Sequence, residues 1–310
     1  MTTQHQSRLT IAWAGTGRMG FAMTKRLLDN GHELLVWNRT QSKAKPLEKH
    51  GAVIVDNIQS LAERNIVFLI SATDHEVKEL LFSKKGLLSG TAKPKIIVDL
   101  TSMSPEDSAE IRYRLDEMDI SFLAAPVSGN AKVIEAGKLS IVASGPKTSF
   151  IEALPFLECI GKTITYVGDG ELARVAKICH NVMLGVVTQN LCEILILAEK
   201  HGMKRSDFLT FLNQSVMGSM FTRYKSPALT NLNFEVTFTP QLMMKDLDLG
   251  LSAAREHGVP MPTTSVTRDQ VQSLIGHGYG DDFSQLLLLE ALAAGVDLTQ
   301  EDAIIDDGLN

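Results

Sequence analysis

The stretch Leu9–Thr40, LTIAWAGTGRMGFAMTKRLLDNGHELLVWNRT, decides the fold. Leu9–Ala14 is a short apolar run of strand type. Gly15-Thr16-Gly17-Arg18-Met19-Gly20 follows at once with the spacing GxGxxG, and Met19–Asn30 carries apolar residues at helical period. Glu33–Trp37 is apolar again. A strand, a glycine turn, a helix and a second strand in about 30 residues make up the βαβ unit that cradles a dinucleotide. Gly15 permits the tight turn, Gly17 lets the backbone approach a pyrophosphate, and Gly20 lets helix and strand pack closely. The diphosphate is expected at the helix N-terminus, where free N–H groups and the helix dipole favour an anion.

The end of the second strand bears on which dinucleotide. A cofactor with a free ribose 2′-hydroxyl usually meets Asp or Glu about 20 residues after the glycine motif. Here Asn38, Arg39 and Thr40 stand instead. Arg39 can pair with a 2′-phosphate and stack on an adenine, while Asn38 and Thr40 can hydrogen-bond to it without repelling a dianion. The expectation is NADP(H) over NAD(H).

Working outward, short apolar strands alternate with helical segments to about residue 168. Strands are expected at Ala52–Val55, Ile66–Ser71, Ile96–Leu100, Ile120–Ala124 and Leu139–Ser144. Helices are expected at Ser42–His50, at His75–Phe82 and, opened by Pro105, through Glu117. That alternation implies a mainly parallel sheet. Beyond it, Glu171–Lys200 has no proline and one internal glycine, Gly185, and predicts a helix on the order of 45 Å long. Helical patterns recur at Arg205–Gln214, Gln241–His257, Pro262–Ile275 and Ser284–Ala294, with Phe234–Phe238 ambiguous. The fold class is therefore α/β: a Rossmann-type doubly wound domain over 1–168, then an all-helical domain over 169–310, joined by a long helix.

Composition narrows the function classes. Among 310 residues, 30 Lys and Arg face 36 Asp and Glu, a net charge of −6 that disfavours a dedicated nucleic-acid or basic membrane-surface binder. Three cysteines, Cys159, Cys179 and Cys192, form no CxxC, and eight histidines form no HExxH, so neither a disulfide framework nor a metal site is expected. The N-terminal MTTQHQSRLTIAWAG has no apolar targeting core and no small-x-small cleavage site. A cytoplasmic protein is expected.

Later blocks extend the pattern of Leu9–Thr40. They are Ala125-Pro126-Val127-Ser128-Gly129, then Gly168-Asp169-Gly170 leading to Lys177 and Asn181, then Lys245-Asp246-Leu247. In this order, over about residues 9–295, the chain resembles the β-hydroxyacid dehydrogenase family, which includes 3-hydroxyisobutyrate dehydrogenases, tartronate semialdehyde reductases and glyoxylate/succinic semialdehyde reductases. The resemblance implies that Lys177 is the catalytic lysine and that Asn181 holds the substrate. It implies that Ser128, Gly129 and Asn130 bind the substrate carboxylate. It places Thr101 and Ser102 by the nicotinamide ribose, Ser71, Ala72 and Thr73 at another cofactor-facing strand end, and Lys245 by the nicotinamide end. The residues are compatible with these roles. Lys177, Asn181 and Thr188 fall on one stripe of a helix whose neighbours are mostly apolar, and a partly desolvated lysine can move a proton near neutral pH.

Three positions depart from the family pattern: Ala124 where Asp is usual, Asn130 where a second Gly is usual, and His180 where Asn is usual. Two other readings compete. An imine reductase shares the VWNRT-type turn but typically has Asp or Tyr at the position of Lys177. A noncatalytic cofactor-binding protein would be favoured by loss of Lys177 or Asn181, and both are present. Phosphogluconate dehydrogenases are related but considerably longer at the C-terminus. Aliphatic faces in Leu184–Leu197 and Leu286–Leu289 add the expectation of a homodimer or homotetramer.

Overall fold

A computed structural model describes residues 9–309. The expectation that no targeting segment opens the chain concerns residues 1–8 and lies outside the described residues. The chain divides into two compact units, 1–177 and 178–310.

The first unit is built on a six-stranded sheet: β1 (Ile11–Ala14), β2 (Leu34–Trp37), β3 (Val53–Ile54), β4 (Ile66–Leu69), β5 (Ile96–Asp99) and β6 (Ser121–Ala124). All pair in parallel, in the order β3-β2-β1-β4-β5-β6, which is the doubly wound order. Its central strands β1, β4 and β5 are buried along their whole length, as a sheet covered on both faces requires. Helix α1 (Arg18–Asp29) packs into the core on one face. Helices α2 (Asp74–Phe82) and α3 (Pro105–Asp116) pack into the core on the other. A second sheet joins β7 (Val127–Ser128), β8 (Ser140–Ala143) and β9 (Thr163–Tyr166), with helices α4 (Ala131–Glu135) and α5 (Lys147–Ile160) beside it in the chain.

The boundary between the units falls inside α6 (Leu172–Lys200). Among the described residues the second unit is otherwise helical: α7 (Arg205–Gln214), α8 (Met220–Asn231), α9 (Pro240–Glu256), α10 (Pro262–Gly276) and α11 (Leu286–Ala294). Its core gathers Leu191, Leu195, Met243, Leu247, Leu274 and Phe283. Helix α6 is long and apolar enough to cross a membrane by length and composition, and half of its most apolar window is buried inside the protein. A core helix of a soluble protein passes the same test.

Several segments differ from expectation for local reasons. Ser42–His50 is not one helix but two short tight turns, Gln41–Lys43 and Lys45–His50. Pro46 at the start of the second has no N–H to continue a helix, and Gly51 in the left-handed region stops it. Phe234–Phe238 forms no strand. Helices α5 and α8 have no counterpart in the sequence reading, because each carries an internal proline, Pro155 and Pro227, that masks its period. Yet Phe150, Ala153, Phe156, Leu157 and Ile160 are all buried at helical spacing.

Candidate functional site

The glycine turn owes its shape to close backbone approach. Gly15 has φ +97°, and a Cβ there would lie 2.1 Å from the Ile70 carbonyl oxygen. A Cβ on Gly20 would lie 2.1 Å from the carbonyl oxygen of Gly15. No side chain is tolerated at either without moving backbone. Fully buried Trp13 stacks on Phe68, and its indole N–H donates to the Gly15 carbonyl at 2.7 Å, so the core itself fixes the turn. Gly17 caps α1 with no side chain, and a Cβ there would meet nothing within 4 Å, which leaves the helix N-terminus open. The Thr16 hydroxyl is buried and has no hydrogen-bond partner among the described residues. An open helix N-terminus beside an unsatisfied buried hydroxyl fits a dinucleotide diphosphate. Arg18 is exposed and Met19 half-buried in the first turn.

The remaining positions expected to face a nucleotide lie just beyond the C-terminal ends of adjacent strands. Asn38 accepts from the Thr16 backbone N–H at 2.8 Å and donates to the Thr40 carbonyl at 2.8 Å, so its amide braces the glycine turn against the end of β2. Arg39 extends into solvent, with 73% of its side chain exposed, and pairs with Glu76 on α2 at 3.0 Å. Glu76 also accepts from the Ser71 hydroxyl at 2.7 Å and the Ala72 N–H at 3.1 Å, and its own N–H donates to Thr73, the cap of α2. The Ser71 hydroxyl, the Ala72 N–H and Arg39 together hold the Glu76 carboxyl below its ordinary range. The Ser71 N–H donates to the Thr101 hydroxyl at 3.0 Å, which closes a chain of contacts from β2 through β4 to β5. Ser102, the next residue, is half-buried.

Behind Thr101 lies a buried ion pair that sequence reasoning missed. Asp99, at the end of β5, pairs with Arg174 in the first turn of α6, and both side chains are fully buried. Arg174 also donates to the Thr101 carbonyl and, at 3.0 Å, to the Ser108 hydroxyl on α3. The Thr101 N–H donates to Asp99 at 3.2 Å. Burial pushes the Asp99 carboxyl up, against the pull of Arg174 and Thr101. The arrangement ties the start of α6 to the loop after β5. Half-buried Lys177 sits one turn further along the same helix. The available signal was charge: an arginine among Leu172, Ala173, Val175 and Ala176 in an apolar helix needs a partner just as Lys177 needs a site.

Ser128 ends β7 and is half-buried. Gly129 has φ +140°, and a Cβ there would crowd the Val133 side chain at 2.8 Å, so the turn requires glycine. Asn130 caps α4 by accepting from the Val133 N–H at 3.1 Å. That cap gives a local reason for Asn where the family usually has Gly.

In the second unit, Asn181, Asp246 and Lys245 come together. Buried Asn181 donates to the Asp246 carboxylate, and Lys245 lies 3.4 Å from the same carboxylate. The Asn181 side-chain oxygen lies 2.8 Å from Nδ1 of His180. Close packing of α6 on α9 makes the contact possible: a Cβ on Gly250 would lie 2.3 Å from Val182, and one on Gly185 would lie 3.0 Å from Leu247. Thr188 is buried, and its hydroxyl donates to the Leu184 carbonyl of its own helix. Among the described residues no group of three His, Cys, Asp or Glu side chains is placed to hold a metal ion, and all three cysteines are free thiols.

Residues 10–168 match the family described as the NAD binding domain of 6-phosphogluconate dehydrogenase. Residues 171–289 match that described as NAD-binding of NADP-dependent 3-hydroxyisobutyrate dehydrogenase. The chain is 28% identical over 281 residues to "Glyoxylate/succinic semialdehyde reductase 1" of Arabidopsis thaliana, covering 90% of this chain and 97% of that protein. It is 31% identical over 285 residues to "Probable 3-hydroxyisobutyrate dehydrogenase-like 1, mitochondrial" of the same plant, covering 91% and 85%. Among solved structures, the 3-hydroxyisobutyrate dehydrogenase of Mycobacterium tuberculosis with L-serine matches at TM-score 0.79 and 25% identity, covering 91% of this chain and 98% of that one.

Proposed function

The chain belongs to the β-hydroxyacid dehydrogenase family, and from that premise we propose that it is an NADP(H)-dependent oxidoreductase that interconverts a small β-hydroxy acid and its semialdehyde or keto acid. The observation that carries the reading is the Asp99–Arg174 pair, which ties the helix bearing Lys177 to the Thr101 loop at the nucleotide-facing end of the sheet. The 3-hydroxyisobutyrate in one plant relative's name and the L-serine with the mycobacterial structure each have a carboxylate and an oxygen two carbons away, while the glyoxylate and succinic semialdehyde in the other name share only the carboxylate and the carbonyl; together they support a small carboxylate-bearing substrate.

The roles follow from the residues. The turn Gly15–Gly20 binds the diphosphate, and Arg39 binds the 2′-phosphate. When bound, the nicotinamide supplies or accepts the hydride. Lys177 gives a proton to the carbonyl oxygen in reduction and takes the hydroxyl proton in oxidation. The Ser128-Gly129-Asn130 turn holds the carboxylate with a hydroxyl and backbone N–H groups. Asn181, held by Asp246, orients the same substrate, and Lys245 serves the nicotinamide end. Three free thiols accord with a reducing, cytoplasmic compartment.

The test is a panel of short hydroxy acids and short aldehyde acids, followed by NADPH absorbance, with and without added amine. Turnover of a carboxylate-bearing member without amine is the expected result. Turnover only with amine overturns the reading in favour of imine reduction, and binding without turnover of any member favours a noncatalytic protein.

A further inference from the structure

At the end of β2, where an unphosphorylated dinucleotide usually meets an acidic residue, this chain has Asn38. The fold returns a carboxylate to that corner from a different element. Glu76, on the first turn of α2, reaches the Arg39 guanidinium at 3.0 Å. We propose that Glu76 sets how strongly this chain discriminates a 2′-phosphorylated nicotinamide dinucleotide from its unphosphorylated counterpart, by competing with the 2′-phosphate for Arg39. The inference rests on the nucleotide reading above and deepens it.

Two features make Glu76 a fixed competitor and not a passing surface contact. One of its oxygens accepts from the Ser71 hydroxyl at 2.7 Å and from the Ala72 N–H at 3.1 Å, so the carboxylate keeps its place when Arg39 swings away. It also lies in the first turn of α2, with Asp74, where the helix dipole favours negative charge. Its carboxyl, held below the ordinary range, is ionised at neutral pH. Arg39 offers five N–H donors in a planar fork. One edge is taken by Glu76, and the exposed remainder faces solvent. A 2′-phosphate therefore meets a guanidinium that is already partly neutralised, with a like charge beside it. A free 2′-hydroxyl meets a carboxylate that can accept from it. Both effects shrink the preference that Arg39 alone would give.

Glu76→Gln keeps the length and an acceptor for Ser71 and Ala72 but removes the charge. For a partly exposed pair, the expected result is NADPH affinity about three- to fivefold tighter. NADH affinity should be unchanged or weaker, so the NADPH-to-NADH affinity ratio rises. Arg39→Ala lowers that ratio, and Glu76→Gln added to Arg39→Ala tightens NADPH by less than it does in the unmodified chain, because the competition for Arg39 is gone and only the like charge is relieved. The measurement is fluorescence titration of the full chain with each nucleotide, so no turnover is needed. An unshifted ratio in Glu76→Gln, with both nucleotides still bound, overturns the inference and leaves the nucleotide reading standing. Binding of neither nucleotide by the unmodified chain refutes the nucleotide reading itself. Should circular dichroism show Glu76→Gln unfolded, Glu76→Asp decides. It is one methylene shorter and withdraws from Arg39, so the ratio rises if the proposal holds and is unmoved if it does not.

Discussion

Asp282→Asn tests the electrostatic frame of the second unit. Asp282 is fully buried and serves three segments at once. Its Oδ1 pairs with Lys225 of α8 at 2.6 Å and accepts from Ser284 ahead of α11. Its Oδ2 accepts from the Thr237 hydroxyl at 2.6 Å and the Thr237 N–H at 2.9 Å, just before α9. Burial pushes this carboxyl up, but Lys225 and the hydroxyls of Ser284 and Thr237 outweigh it and hold the pKa at about 2. Against an ordinary value of 3.8, that is roughly 2–3 kcal/mol of stability at neutral pH. The folded value is the lower one, so this stability is present above pH 4 or so and is lost as the pH falls through about 2. The amide costs more than protonation does. It removes the carboxylate from a lysine with 2% of its surface exposed and turns an N–H toward it, for a loss of roughly 3–5 kcal/mol at pH 7. Urea unfolding of both proteins by circular dichroism, at pH 7 and then from pH 4 downward, measures the difference. The gap between them should narrow as the pH falls toward 2. A cost below about 1 kcal/mol at pH 7, or a gap that does not change with pH, refutes the reasoning.

Lys177→Met should reduce turnover by about 10²–10⁴ while NADPH affinity, measured by fluorescence, stays close to normal, since the diphosphate and 2′-phosphate contacts proposed above are with Gly15–Gly20 and Arg39. Ser128→Ala should raise KM for a carboxylate substrate more than for its neutral ester, and an unchanged acid-to-ester ratio removes the carboxylate from that turn. Arg174→Met should cost roughly 3–5 kcal/mol, because it strands the buried Asp99; Asp99→Asn added to it should recover part of that loss in the same urea assay. Met183, Leu197 and Phe211 of the second unit are each more than half exposed, and we propose that a second copy covers such surface. Light scattering should give a mass that is a multiple of 33.9 kDa, and a monomer mass at micromolar concentration counts against it.

The features legible in the sequence are those whose cause is local. Gly20 announces itself because a Cβ there would strike the Gly15 carbonyl five residues back, and Gly15 shows through its spacing to Gly17 and Gly20, although the carbonyl its own Cβ would strike belongs to distant Ile70. The central strands show as apolar runs because a sheet covered on both faces needs them. Helices α5 and α8 were hidden by single prolines, which interrupt a period without ending the helix. Asp99, Glu76 and Asp246 could not be read as site residues. Each is an acidic residue near the end of a strand or on a helix, like many others in the chain. Its importance lies in an arginine or asparagine that is 37 to 75 positions distant in sequence. Arg174 differs, since a charge among apolar helix residues is visible in the sequence and calls for a partner.

These carboxylates share a logic along α6. Within the first unit, Asp99 holds Arg174 in the opening turn of the helix, and Lys177 follows one turn later. Within the second unit, Asp246 holds Asn181, one turn after Lys177. Each of these two stretches of α6 is thus held, within its own unit, by a buried acid. A helix anchored by one buried charge can still turn about its axis by a fraction of a residue at modest cost. One anchored at two points two turns apart has to break a buried charged contact to do so, at several kcal/mol for the ion pair alone. Proton transfer needs a donor held near its acceptor in both position and direction, and a lysine with four rotatable bonds supplies direction only if its Cα is fixed. On the role proposed for Lys177, the direction its own side chain lacks comes from the backbone that Arg174 and Asp99 fix one turn earlier. That is why Arg174 and Asp99 belong to the account of this site as much as the glycine motif does.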